Sequence, residues 1–204
     1  MSISNLAMVS LHSPQLLYCQ PGDIVPYHPD SCWQIKKGLV RTLTWTEEGD
    51  LVTLGLWGIG NYIGQLLSEI TPFQIECISP LEMETAFLTG QPLTMVLRSH
   101  LRQTEELFSI ISHKRASQRL LEFLAWLGRR FGRQLDQGQL IDLGLTHQLL
   151  AEITGITRVT VTRLLTELEQ QGELMRLPKQ QILLHRGFGR SGQVARFPQQ
   201  RRTG

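Results

Sequence analysis

The segment 146–168, THQLLAEITGITRVTVTRLLTEL, leaves few folds open, because it reads as two short helices joined by a glycine turn. Helices crossing steeply over so short a turn need particular residue sizes at particular places. Ala151 stands where the two come closest, and Gly155 takes the turn, where a positive φ would be costly for any residue with a Cβ. Ile153, Ile156, Val161, Leu164 and Leu165 supply apolar faces, with Val161 and Leu165 four apart on one side of the second helix. The opposite side carries Arg158, Val159, Thr160, Thr162 and Arg163, after Thr157 as N-cap. This spacing predicts a helix-turn-helix. An arginine early in a recognition helix can pair with the O6 and N7 edge of guanine, Val159 suits a thymine methyl group, and threonines reach bases or phosphates. Thr146, His147 and Gln148 open the first helix and complete the expected DNA-contacting set. The alternative is a plain helical hairpin of an all-α domain, with Arg158 and Arg163 as solvated charges. Against it, Glu173 to Leu177 and Gln181 to His185 flank Pro178 and Lys179 and read as a β-hairpin, the wing of a winged helix.

Charge supports a split of the chain. Residues 1–97 hold three basic residues (Lys36, Lys37, Arg41) against nine acidic ones, a net of −6, while 98–204 hold seventeen against nine, a net of +8. A basic half suits phosphate contact, since neutralised phosphates release counterions and drive affinity. Composition, 41% hydrophobic and 19% charged, is ordinary for a folded protein. No apolar run reaches the ~18 residues that spanning a membrane takes, and the opening MSISNLAMVSLHSPQLL lacks a basic n-region, so a cytoplasmic location is expected. Cys19, Cys32 and Cys77 are odd in number and far apart, without a C-x-x-C pair. They predict buried thiols rather than a disulfide framework, a metal site or a redox centre.

From Leu16 to about Phe87, short β-branched runs alternate with turn signals at Pro21-Gly22-Asp23, His28-Pro29-Asp30, Lys37-Gly38, Glu48-Gly49-Asp50, Gly58-Ile59-Gly60-Asn61 and Ser79-Pro80. Strands at 33–35, 39–45 and 51–56, spaced near ten residues, indicate an antiparallel barrel or jelly roll. A helical stretch then runs from about Gln91 to Phe131, interrupted at most briefly. Leu97, Leu101, Thr104, Phe108 and Ile111 recur at intervals of four and three, the seam of a coiled coil. The seam predicts a homodimer; packing on the chain's own barrel is the other way to bury it. Thr104, polar within it, suits a ligand contact or a register lock. Arg129, Arg130 and Gly132 mark a helix end and hinge. The units expected are therefore a β-roll at 1–90, a helix and hinge at 91–131, the DNA-binding domain at 132–186, and a tail at 187–204 with the composition of a disordered segment.

Barrel, long helix and winged helix in this order resemble the cyclic-AMP receptor and fumarate-nitrate regulator (Crp/Fnr) superfamily of bacterial transcription factors. The resemblance covers about Leu16 to His185. It is carried by QPGDIVPYHPDSCWQIKKGLVRTLTWTEEGDLVTLGLWGIGNYIG and, more specifically, by THQLLAEITGITRVTVTRLLTELEQQGEL. TRVTVTRLL is most similar to the recognition helix of the cyanobacterial nitrogen regulators. The resemblance implies an α+β chain: an N-terminal antiparallel β jelly roll of the cyclic-nucleotide-binding kind, a long dimerisation helix and a C-terminal winged helix-turn-helix. It implies a non-enzymatic dimer reading a palindrome of the GTA…TAC kind through Arg158, Val159 and Arg163, with RNA polymerase as a further partner.

The departures matter equally. Nucleotide-binding members hold the cyclic phosphate with a Gly-Glu pair followed by Arg-Ser or Arg-Thr, whereas the matching stretch here, Gly64 to Glu76, has no arginine, and no Lys or Arg occurs between Arg41 and Arg98. A phosphate there would be a buried, unpaired charge, so cyclic AMP is not expected to bind. The 2-oxoglutarate site of the nitrogen regulators also uses arginines, although Arg98 and Arg102 could face a pocket. The four-cysteine iron–sulfur arrangement is missing, and Cys77, His100 and His113 do not make a haem site. No cofactor, metal or effector residue is assigned. Two other readings remain: a cupin-like β-barrel enzyme with an appended helical domain, though the barrel region holds only His28, and a regulator acting through protein partners.

Overall fold

A computed structural model describes residues 15–27 and 32–188. The turn expected at His28-Pro29-Asp30 lies outside them, as does 189–204 of the expected tail. Gly187 and Phe188 are described: they close a turn after the last strand, and Phe188 packs against the core. Among the described residues the chain forms β1 (Leu16–Cys19), β2 (Cys32–Lys37), β3 (Val40–Trp45), β4 (Leu51–Trp57), β5 (Tyr62–Ile63), β6 (Gln74–Cys77), β7 (Leu81–Ala86), α1 (Gly90–Ile111), α2 (Ala116–Phe131), β8 (Arg133–Leu135), β9 (Gly138–Ile141), α3 (His147–Thr154), α4 (Arg158–Gln170), β10 (Leu174–Leu177) and β11 (Gln181–His185).

The first seven strands make two antiparallel sheets, ordered β1-β7-β2-β5 and β4-β3-β6, which face each other as a jelly-roll-like sandwich. Period-two alternation decides what lies inside. Ile75 and Cys77 of β6, and Leu81 and Met83 of β7, point in, while Glu82 and Glu84 point out. Trp33, Trp57, Phe73 and Met83 fill the interior. Trp57 donates its Nε1–H to Thr42 Oγ1 (2.9 Å), so the indole's one polar group is satisfied.

The long helical stretch is two helices. Ser112, whose hydroxyl donates to the Phe108 carbonyl (2.7 Å), is the C-cap of α1, and α2 restarts four residues later. The inner face of α2, with Leu120, Phe123, Leu124 and Leu127, joins Leu39, Leu56 and Ile78 of the roll to Leu150, Val161 and Leu165 of the C-terminal domain in one core. A polar network crosses it. Gln103 of α1 donates to the Leu56 carbonyl and accepts from Arg130, while Glu106 accepts from Trp126 Nε1 (2.9 Å), Arg102 Nε (3.2 Å) and Arg130 Nη1 (3.4 Å). These bonds tie β4, α1 and α2 together at fixed angles.

The C-terminal domain carries a four-stranded antiparallel sheet, β10-β11-β9-β8. The wing expected from sequence is β10 and β11, paired Leu174↔Leu184 to Leu177↔Gln181. The β8–β9 hairpin was not legible, because QLDQGQLID mixes polar and apolar residues without a clean alternation. Gly138 is indispensable there: φ is +152°, and a Cβ would collide with the Leu184 carbonyl across the sheet.

Candidate nucleic-acid interface

Local chemistry builds the helix-turn-helix as its spacing requires. Thr146 N-caps α3 by accepting from Leu149 N–H (3.0 Å), and Thr157 N-caps α4 by accepting from Thr160 N–H (3.2 Å). Between them Gly155 adopts the left-handed conformation (φ 62°, ψ 37°). Arg119 of α2 donates to the Gly155 carbonyl (3.2 Å) and pins the turn from behind. Ala151, Ile153, Ile156, Val161, Leu164 and Leu165 are all buried.

The other side of α4 is free. Arg158, Val159, Thr162 and Arg163 are exposed, Val159 at 79%, with Thr160 half-buried. An apolar side chain so exposed on an ordered helix contributes nothing to its own fold. Among the described residues no carboxylate pairs with Arg158. Arg163 pairs with Glu167 one turn on (2.5 Å), an exposed pair that is easily given up. The threonine hydroxyls serve the helix itself: Thr160 bonds Thr157 (2.8 Å), and Thr162 donates to the Arg158 carbonyl (3.0 Å) while meeting His147 Nδ1 (2.8 Å).

A groove of about 580 Å³ runs beside this face and gathers Thr146, His147, Gln148 and Arg158 with Arg176, Gln180 and Gln181 of the wing. Thr157, Val159, Thr160, Thr162 and Arg163 lie outside its lining, on α4 itself. Sequence reasoning missed Arg176. Glu169 of α4 accepts from its Nε (2.9 Å), Nη2 (2.5 Å) and backbone N–H (2.9 Å), and these bonds hold the Glu169 carboxyl below its ordinary range. A single arginine in a wing strand carries no spacing signal; only the hairpin brings it to the recognition helix. Burial, then the charges of Arg176 and Arg158, push the His147 imidazole down.

On α1 the expected seam faces outward. Leu101 is 61% and Phe108 67% exposed, with Leu97, Thr104 and Met95 beside them; Ile111 is half-buried and packs on the chain's own core. Arg41 is already held by Glu76 and Glu152, and the Gln65 amide closes on Ser68 of its own loop (2.8 Å). The cysteines are buried thiols. Burial raises Cys19 and pushes Cys32 up to about 11; burial, then the neighbouring Cys19 and Asp23, push Cys77 up to about 12.

Residues 118–186, which span this interface, match the Crp-like helix-turn-helix domain. The regulatory protein CysR of Synechococcus elongatus is 42% identical over 167 residues, covering 80% of this chain and 81% of its own. The chain belongs to the Crp/Fnr family of transcription regulators. The global nitrogen regulator of a Nostoc species is 33% identical over 167 residues, covering 74% of each chain. The structure of FixK2 from Bradyrhizobium japonicum, 19% identical, superposes with a TM-score of 0.74 over 92% of this chain and all of that one, which shows the shared fold. Members of the Crp/Fnr family bind DNA, are typically dimers and are not enzymes, which supports the regulator reading over that of a β-barrel enzyme. No helix among the described residues is long and apolar enough to cross a membrane.

Proposed function

We propose that this Crp/Fnr protein is a cytoplasmic homodimer that reads a two-fold symmetric DNA site, with α4 of each subunit in a major groove and RNA polymerase as its partner in transcription. In this reading Arg158, Val159 and Arg163 meet base edges. Thr157, Thr160 and Thr162 hold α4 and its neighbours in place. Thr146, His147 and Gln148, with Arg176, follow the phosphates. The carrying observation is the exposed face of α4, where Val159 and Arg158 stand free beside a groove lined by Arg158 and Arg176. Dimerisation through α1 is supported by its exposed apolar stripe: each Leu or Phe removed from water contributes about 1.5–3 kcal/mol.

The same reading has no cyclic AMP in the roll. Large side chains occupy its interior, and Arg41, the one arginine among residues 1–97, is committed to two carboxylates. Selection of preferred sites from a random duplex library by the purified protein, without effector and at a stated salt concentration, tests the function. A palindrome with half-sites about one helical turn apart is expected. Enrichment of no sequence, with binding that does not respond to salt, would sink it.

A further inference from the structure

Arg41 sits at the junction of two domains. The residue is buried, 5% exposed, on β3. Nε and Nη2 donate to Glu76, its cross-strand neighbour on β6, at 2.8 Å each, and Nη1 donates to Glu152 of α3 at 2.6 Å. One partner belongs to the roll and the other to the first helix of the helix-turn-helix. The second oxygen of Glu152 accepts from Gln148 (2.9 Å), so a continuous chain of bonds runs from the roll to the groove.

Around this bridge the domains do not close. A cleft of about 570 Å³ separates Gly22 and Pro80 of the roll from Thr146 and Gln148. The apolar contacts that join the domains elsewhere, through Leu39, Leu56 and Ile78, hold them together but are non-directional. A guanidinium is planar and rigid, and its charge-assisted bonds have preferred directions. With one edge fixed on Glu76, the remaining Nη1 prescribes where the Glu152 carboxylate lies, and hence how α3 is turned against the roll.

We propose that Arg41 is a positioning residue for DNA reading: through Glu152 it sets the angle of the helix-turn-helix on the roll, and with it the half-site spacing that the dimer accepts. The inference rests on the dimeric DNA reading proposed above. Each base pair inserted between half-sites moves one of them by about 3.4 Å and turns it by about 35°, so a fixed head tolerates little change.

The test measures affinity for duplexes whose selected half-sites are one base pair closer, unchanged or one base pair further apart. The wild-type protein is expected to lose about tenfold or more at either altered spacing. Glu152→Gln, which keeps the Gln148 contact but drops the charge, is expected to lose less than about threefold, with the base preference inside each half-site unchanged. Arg41→Lys keeps the charge and gives up the fork, and moves the same way. Lys36→Gln, which breaks the Lys36–Glu84 pair and the Lys36–Gln34 bond, both within the roll, behaves as wild type. If Glu152→Gln and Arg41→Lys fold and still discriminate spacing as sharply as wild type, or if wild type accepts all three spacings equally, the role of Arg41 is overturned while DNA reading stands. Failure of the wild type to bind any of the duplexes overturns DNA reading itself.

Discussion

Arg158 and His100 show how one side chain's surroundings decide its role. Arg158 stands free at the first turn of α4 with Val159 beside it. Truncation to alanine leaves the helix intact, because Thr157 still caps it. We expect Arg158→Ala to flatten one base position in the selected site and to weaken binding there by about 1–3 kcal/mol, read by repeating the selection and titrating the best duplex. An unchanged preference would remove its base-reading role. His100 is the opposite case. It stacks on Trp57 with ring centroids 3.9 Å apart, and its Nε2–H donates to the Tyr62 carbonyl (2.6 Å). Burial, only partly offset by that bond, pushes its imidazole below the ordinary 6.5. Below pH 6.5 the unfolded chain therefore binds more protons than the folded one. The stabilisation is complete above that value and is lost as pH falls from it toward the lower folded value. The urea midpoint should drop between about pH 7.5 and 5.5, and His100→Gln should reduce the drop. An equal drop in the variant would place the titration elsewhere.

Among the elements, α1 has two unlike faces. Gln103, Glu106, Leu107 and Ile110 face inward, where Gln103 donates to the Leu56 carbonyl and accepts from Arg130, and Glu106 accepts from Trp126 and Arg130. Leu97, Leu101, Thr104 and Phe108 face outward and are exposed among the described residues. We expect Leu101→Asp with Phe108→Asp to give a folded monomer by sedimentation, since both side chains are mostly exposed on their own subunit. Affinity for a palindrome should fall toward that of a single half-site. A variant that remains dimeric would assign the interface to another surface. The wing is the second informative element. Glu169 anchors Arg176 to α4, so the recognition helix and the hairpin act as one rigid edge of the groove.

At the scale of the whole molecule, the chain keeps the Crp/Fnr architecture, and in the proposed reading its roll takes no cyclic phosphate. Isothermal titration with cyclic AMP is expected to show no saturable binding at micromolar concentrations; a micromolar isotherm would reverse this reading. The charge split follows the architecture: the acidic half is the roll and the start of α1, and the basic half carries the groove. The bridge from Arg41 to Glu152 joins residues 111 apart, and it is at this scale alone that Arg41 has a DNA-related role.

Local patterns in the amino-acid order decided much. The glycine at 155 between two apolar periodicities, the threonine caps at 146 and 157, the regular strand spacing and the seam of α1 depend on neighbours within a few residues, and such interactions are written in sequence order. The break at Ser112, the β8–β9 hairpin, the inward turn of Ile111, and the meeting of Arg176 with Glu169 and of Arg41 with Glu152 were settled only by tertiary packing. A buried charge or a short strand carries no periodic signature. Its place depends on partners brought close by the whole fold, where the cost of leaving a polar group unpaired selects one arrangement.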